Sequence, residues 1–94
     1  MGPEANFQVL VHKAADKYIK QQPPKVQDNV QDAIGCLSRD PHGVRERHAN
    51  NPRPYKAHAG QFLWTVAYIR LVYIIDDAKR IVHIIDADKR GDIY

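Results

Sequence analysis

Arg70 lies between Ile69 and Leu71 in the run 66–75, Val-Ala-Tyr-Ile-Arg-Leu-Val-Tyr-Ile-Ile. A guanidinium stays charged at any pH a protein meets, so its place in an apolar strand requires an anion. That anion is either a carboxylate of the chain, for which Asp86 on the next predicted strand is a candidate, or a phosphate from outside. A second basic group is Lys89-Arg90-Gly91-Asp92-Ile93-Tyr94, with Asp88 and Asp92 near enough in sequence to quench Arg90. A third runs from Arg39 to His58, where Arg45, Arg47, Arg53 and Lys56 alternate with His42, His48 and His58, opposed only by Asp40 and Glu46. Such a run is either a phosphate-facing surface or a solvated loop. Metal chemistry has little support: His12, His42, His48, His58 and His83 show no ligand-like spacing and no cysteine partner. Neither a Ser/His/Asp arrangement nor a glycine loop that would cradle a phosphate occurs, so no cofactor is expected.

The elements that must position these residues follow from periodicity. Between Asn6 and His12, Phe7, Val9 and Val11 alternate with Gln8, Leu10 and His12, the period of a strand with one face buried. From Lys13 the spacing of Ala14, Ala15, Tyr18 and Ile19 becomes helical and must stop at Pro23-Pro24. Pro24 suits a first helical turn, and Val26, Val30, Ala33, Ile34 and Leu37 then share one face of a second helix that Asp40-Pro41 closes. The stretch 41–59 holds turn and breaker signals without sustained periodicity, and its length favours a functional or mobile loop. Strands are expected at 61–66, 68–76 and 80–87, rich in Ile, Val, Tyr and Trp. Asp76-Asp77-Ala78-Lys79 suits the turn joining the last two. The junction Val66-Ala67-Tyr68 has no Gly, Asn or Asp, so its turn is either longer than two residues or strained. The order strand, helix, helix, strand, strand, strand gives an α+β fold: an N-terminal strand, a helical hairpin and a three-stranded antiparallel meander, with the hairpin on one face of the sheet. Trp64 and Tyr73 read as packed strand aromatics.

Ninety-four residues, 44% of them hydrophobic, suit one domain spanning 1–94, with 1–5 expected to be disordered. Arg70, Asp76 and Arg80 interrupt the apolar stretches well before the roughly 18 residues a membrane span needs. The start Met1-Gly2-Pro3-Glu4-Ala5-Asn6 lacks an export signal's basic and apolar regions, and a lone Cys36 cannot form an internal disulfide. A cytoplasmic protein is expected. The net charge of +3 permits polyanion binding without demanding it.

With that layout in place, the chain resembles the RelE/ParE superfamily of toxins from type II toxin–antitoxin modules. The resemblance rests on the strand and helical hairpin, a helix ending in Leu-x-x-Asp-Pro (Leu37 to Pro41), and the segment 62–73, Phe-Leu-Trp-Thr-Val-Ala-Tyr-Ile-Arg-Leu-Val-Tyr. That segment is similar to the family's Tyr-Arg-Leu-Arg-Val-Gly-Asp-Tyr-Arg-Val-Ile-Tyr, and 89–94 to its His-Arg-x-x-Val-Tyr. Three departures accompany the match. Leu63 and Thr65 stand where ribonuclease members carry cations, Ala67-Tyr68 replaces a Gly-Asp turn, and Lys89 replaces a histidine.

The resemblance implies a ribosome-dependent mRNA endoribonuclease working without metal, neutralised by a cognate antitoxin. In the family a ribose 2′-hydroxyl attacks its neighbouring phosphate while the protein positions the backbone and stabilises the phosphorane. Carried over, Arg70 would grip the scissile phosphate, Arg90 would assist it, and Tyr94 would stack or orient. Lys89 would stabilise charge or act as a general acid. Lys56 and His58, with Arg53 and Arg47, would bind RNA and partly replace the two missing cations. An acidic antitoxin segment would cover Arg70 and Arg90. Two alternatives stay open: a ParE-like toxin that inhibits gyrase without chemistry, and a toxin fold that only binds its antitoxin.

Overall fold

In the computed structural model, residues 7–44, 52–55 and 58–89 are described. Their elements in chain order are β1 (Gln8–Val11), α1 (Lys13–Lys20), α2 (Pro24–Arg39), β2 (Arg53–Pro54), β3 (Phe62–Val66), β4 (Ile69–Asp76) and β5 (Ile81–Lys89). The strands form one sheet in the order β1-β5-β4-β3-β2, with β1 parallel to β5 and every other pairing antiparallel.

The two helices lie where the apolar stripes predict. Ala15 and Ile19 of α1 and Val26, Val30, Ala33 and Leu37 of α2 are buried. They meet Trp64, Ile69, Leu71, Tyr73, Val82, Ile84 and Ala87 from the sheet. Ala14, expected on the buried stripe, is exposed at the start of α1. At eight residues α1 is too short to hold together alone, since isolated helices under about 12–15 residues are marginal, so its contact with β5 stabilises it. Pro24 occupies the first turn of α2, and the C-cap at Asp40 comes just before Pro41. Hydrogen bonds from the Phe7 N–H to the Ser38 carbonyl and from Ser38 Oγ to the Phe7 carbonyl, both 2.9 Å, tie the start of β1 to the end of α2.

The stretch read as an irregular loop does two structural jobs. Pro41 and Val44 are fully buried, and β2 adds a fourth antiparallel strand at the edge of the expected three-stranded meander. Two residues, Arg53 and Pro54, preceded by Pro52, carry no alternation, which is why periodicity could not find this strand. The His42 side chain reaches Asp77 Oδ1 at 2.7 Å and fastens the segment to the β4–β5 turn.

One irregularity decides what the sheet presents on its uncovered side. Opposite β4, the register on β5 steps from Asp86, facing Val72, to Ile84, facing Tyr73, leaving Ile85 as an extra residue in a β-bulge. Val82 and Ile84 face the helices before the bulge, and Ala87 does so after it. Regular alternation from Val82 and Ile84 would have sent Asp86 and Asp88 into the core. A lost ladder hydrogen bond costs about 1 kcal/mol, whereas burying two carboxylates costs several kcal/mol each, so the bulge is the cheaper arrangement.

Val66 pairs with Ile69, so the β3–β4 turn has two central residues, and Ala67 adopts φ 57°. The strained alternative of the sequence reading is the one realised. Tyr68 Oη donates to Gln22 Oε1 at 2.6 Å, linking this turn to the α1–α2 connection. At the other end of β4 the loop 77–80 closes with Asp76 Oδ1 accepting the Lys79 N–H at 3.0 Å, and Arg80 also has φ 57°.

Two predictions follow from the backbone. Deleting Ile85 removes the bulge and leaves Ile84 and Ala87 inward and Asp86 and Asp88 outward by regular alternation, so soluble folded protein should be retained, whereas Ala87→Asp puts a carboxylate into the core and should abolish it, as judged by circular dichroism and yield. Ala67→Gly relieves a left-handed alanine and should raise stability by about 1 kcal/mol in urea unfolding.

Candidate functional site

Strand alternation and register together define the face opposite the helices. Directly opposed residues in antiparallel strands project to the same side, so two rows can be read across it. One row runs Arg53, Leu63, Val72, Asp86, and the next runs Thr65, Arg70, Asp88. Beyond β5, Leu10 of β1 lies beside His83.

Arg70 is the one charged residue among the buried described residues, at 5% exposure. The carboxylate directly opposite it on β5 is Asp88, not Asp86 as the sequence suggested. Asp86 sits one row over, opposite Val72. Each carboxylate takes a backbone N–H from the following residue, Ala87 to Asp86 Oδ1 at 2.9 Å and Lys89 to Asp88 Oδ1 at 2.7 Å, which limits their rotation. A large cation at the centre of the sheet, with carboxylates on the neighbouring strand, is a fixed positive charge whose position is set by the β-ladder.

The absent cations at Leu63 and Thr65 are partly offset by β2. Its pairing sets the exposed Arg53 directly beside Leu63 on the same face. Among the described residues it is the one basic residue of the 39–58 run that the sheet itself aims. His58, also exposed, is tied by a short turn to Tyr55, the residue after β2. The His58 N–H donates to the Tyr55 carbonyl at 3.0 Å, the Gln61 N–H to the His58 carbonyl at 3.2 Å, and the Tyr55 N–H to the Gln61 carbonyl at 2.8 Å. The rings of Tyr55 and His58 meet edge to face with centroids 4.9 Å apart. Beside them opens a depression of about 420 Å³ lined by Ala14, Tyr55, His58, Gln61, Val72, Ile85 and Asp86.

Lys89 does not join this group. It pairs with Ile69, a core residue, so alternation sends its exposed side chain toward the helix side of the sheet, away from Arg70. Arg90, Tyr94, Lys56 and Arg47, and the N-terminal stretch 1–5, lie outside the described residues. Trp64 and Tyr73 are core residues, with Tyr73 stacked on Phe62 at 5.5 Å.

Sequence reasoning missed three features. Tyr55 was hidden in an aperiodic stretch, and the placing of Asp86 and Asp88 depends on the bulge. His12 and His83, 71 residues apart, hydrogen-bond through Nε2 and Nδ1 at 3.0 Å where the end of β1 runs beside β5. Among the described residues no group of three or more His, Cys, Asp or Glu is arranged to hold a metal ion. None of the helices there is long and apolar enough to cross a membrane.

No family model matches the sequence, and no curated protein matches it either. Among solved structures, it is similar to a chain of the toxin–antitoxin complex RelBE2 from Mycobacterium tuberculosis, with 30% identity over 94% of this chain and 95% of that one and a TM-score of 0.71. The chain belongs to the RelE/ParE toxin superfamily. The RelE-like fold recurs in the archaeal RelE–RelB complex from Pyrococcus horikoshii (17% identity, 93% of this chain and 98% of that one, TM-score 0.70). It recurs also in the YoeB/ParE toxin from Agrobacterium tumefaciens (16% identity, 89% and 99%, TM-score 0.72). On the open face, Arg70 lies at the centre, β2 contributes Arg53, β3 contributes no cation, and Asp86 and Asp88 stand on β5.

The balance of charge on that face can be measured directly. Asp88→Asn removes the carboxylate opposite Arg70, and the variant should elute from heparin at higher salt than the parent with an unchanged far-ultraviolet spectrum.

Proposed function

We propose that the chain is the toxin of a type II toxin–antitoxin module and that it cleaves mRNA on the ribosome, in the cytoplasm, until a cognate antitoxin covers its open face. Family membership supports the toxin role, and the relative from M. tuberculosis was crystallised in a toxin–antitoxin complex, the structural neighbour from P. horikoshii in a RelE–RelB complex. The observation that carries the RNA reading is that Arg70 and Arg53 lie on one uncovered sheet face, with His58 lining a depression that Val72 and Asp86 of that face also line.

The chemistry asked of this face is modest. A ribose 2′-hydroxyl attacks the adjacent phosphorus and loses its proton, the bond to the 5′-oxygen breaks, and that oxygen takes up a proton. The products are a cyclic phosphate and a 5′-hydroxyl end. What the protein adds is orientation and positive charge at the phosphorane, the larger part of catalysis in reactions of this kind. Arg53 is exposed and suited to the backbone phosphates. Arg70 supplies a rigid fork at the centre, and the family resemblance gives Arg90 and Tyr94 a share in the reaction and Lys56 and Arg47 a role in holding RNA. Lys89 projects to the other side of the sheet from Arg70.

A specific observation favours a second reading. Arg70 is almost fully buried opposite Asp88, and Leu63 and Thr65 leave β3 without cations. A toxin whose central arginine is structural would act by binding a protein target such as gyrase, or would bind only its antitoxin.

Expression without antitoxin separates the readings. Translated mRNA should show discrete cuts within ribosome-occupied codons; intact mRNA with inhibited supercoiling would favour the gyrase reading, and unimpaired growth the antitoxin-only one. Arg70→Lys keeps the charge but loses the fork, so cutting should fall more than about tenfold while the thermal midpoint is retained. Cutting that survives this change would make Arg70 structural. Arg53→Ala should leave stability within about 0.5 kcal/mol and reduce the salt slope of RNA binding by about one.

A further inference from the structure

Where β1 runs beside β5, the sheet carries a pair of side chains that the RNA reading does not use. Leu10 and His83 are direct partners in the parallel ladder, and His12 comes two residues after Leu10, so these residues share the side opposite the helices. The backbone beneath both rings is fixed. The His12 N–H donates to the Ile84 carbonyl at 2.9 Å, and the His12 carbonyl accepts the Asp16 N–H at 2.8 Å, so the residue is at once a last rung of the β1–β5 ladder and the N-cap of α1. His83 is paired on both sides, with Leu10 on β1 and Ile74 on β4. This brings His12 Nε2 to 3.0 Å from His83 Nδ1, with the ring planes at 90°. His12 is exposed and His83 half-buried, so an ion can reach the pair from solvent.

We infer that His12 and His83 form a two-histidine site for a divalent transition-metal ion of tetragonal preference, copper(II) or nickel(II), which clasps the N-terminal strand to β5. The inference is independent of the RNA reading, and the ion takes no step in that chemistry.

Distance and ligand type choose the ion. Imidazole suits zinc, copper, iron and nickel alike, so the donors alone do not discriminate. With metal–nitrogen bonds of about 2.0–2.1 Å, nitrogens 3.0 Å apart subtend about 95° at the ion, close to the right angle of square-planar and octahedral coordination. A tetrahedral zinc site would hold the same nitrogens about 3.3–3.4 Å apart. Among the described residues no third His, Cys, Asp or Glu completes a metal-holding group, so water fills the remaining positions and the ion stays exchangeable.

The proton between the rings is conserved. In the hydrogen bond one facing nitrogen carries the ring proton and the other offers its lone pair. A neutral imidazole has one N–H and one free nitrogen, so on metal binding that proton moves through water to the far nitrogen of its own ring. Both facing nitrogens then donate to the metal, each ring turning to aim its lone pair at the ion, and the ion keeps its oxidation state.

The test uses the full chain with any purification tag removed, stripped of metal and titrated with nickel(II) and copper(II), with zinc(II) for comparison. One equivalent should bind, and at about a hundredfold excess over the dissociation constant the thermal midpoint should rise by about 10 °C. His12→Gln and His83→Gln should each weaken binding about tenfold or more and remove that rise, because a second ligand on the same scaffold binds at high effective concentration. His42→Gln alters an exposed histidine on the 77–80 turn side of the molecule and should leave binding intact. With copper(II), electron paramagnetic resonance should show two coordinated imidazole nitrogens in the parent and one in either variant. Should His83→Gln fail to fold, His12→Gln, at the exposed cap, decides alone. No binding by the parent, a rise that survives the substitutions, a rise lost in His42→Gln instead, or zinc held more tightly than copper overturns the site.

Discussion

The bulge at Ile85 is the constraint on which the rest of the molecule depends. β5 is central to the sheet, pairing with β1 on one side and β4 on the other, so its alternation sets what lies under the helices and what faces outward. Its first half commits Val82 and Ile84 to the core and its second half commits Ala87. Only an extra residue between them allows both commitments while keeping Asp86 and Asp88 out of the apolar layer. The same shift that spares the core gives the open face its carboxylates, so the stability of the fold and the electrostatics of the site have one cause.

Around that strand the chain is assembled from elements that cannot stand alone. α1 is two turns long, and β2 has only two residues. Each is stabilised by what it touches: α1 by β5, β2 by β3. Val44 and Pro41, from a stretch with no regular structure of its own, complete the core under α2. Burying a side chain such as Val44 is worth about 1.5–3 kcal/mol, comparable to the cost of ordering the few residues that bring it there.

The open face carries both signs of charge. Leu63 and Thr65 give β3 no cation there, Arg53 brings one from the edge strand, and Asp86 and Asp88 place negative charge on β5. A polyanion approaching such a face is oriented by the gradient between the two. Arg70, fixed by the ladder near their boundary, has neither the mobility nor the exposure of a simple surface contact. Its burial is also why the face supports a protein-binding reading beside the catalytic one.

The sequence by itself determined the helices and main strands, because their apolar residues recur at periods that admit one side of burial only. It determined too that Arg70 would need an anion, and through the segment 62–73 and the Leu37–Pro41 helix end it showed the superfamily. It did not determine the partner of Arg70, the strand at Arg53–Pro54, the pairing of His12 with His83, or the side of the sheet on which Lys89 emerges. Each of these depends on register between strands distant in sequence, and register is a property of pairs. A single inserted residue, Ile85, reverses the facing of everything after it while leaving the local pattern of β5 almost unchanged. Only the tertiary structure, by bringing β4 alongside, decided which carboxylate met Arg70 and which was left to line the depression.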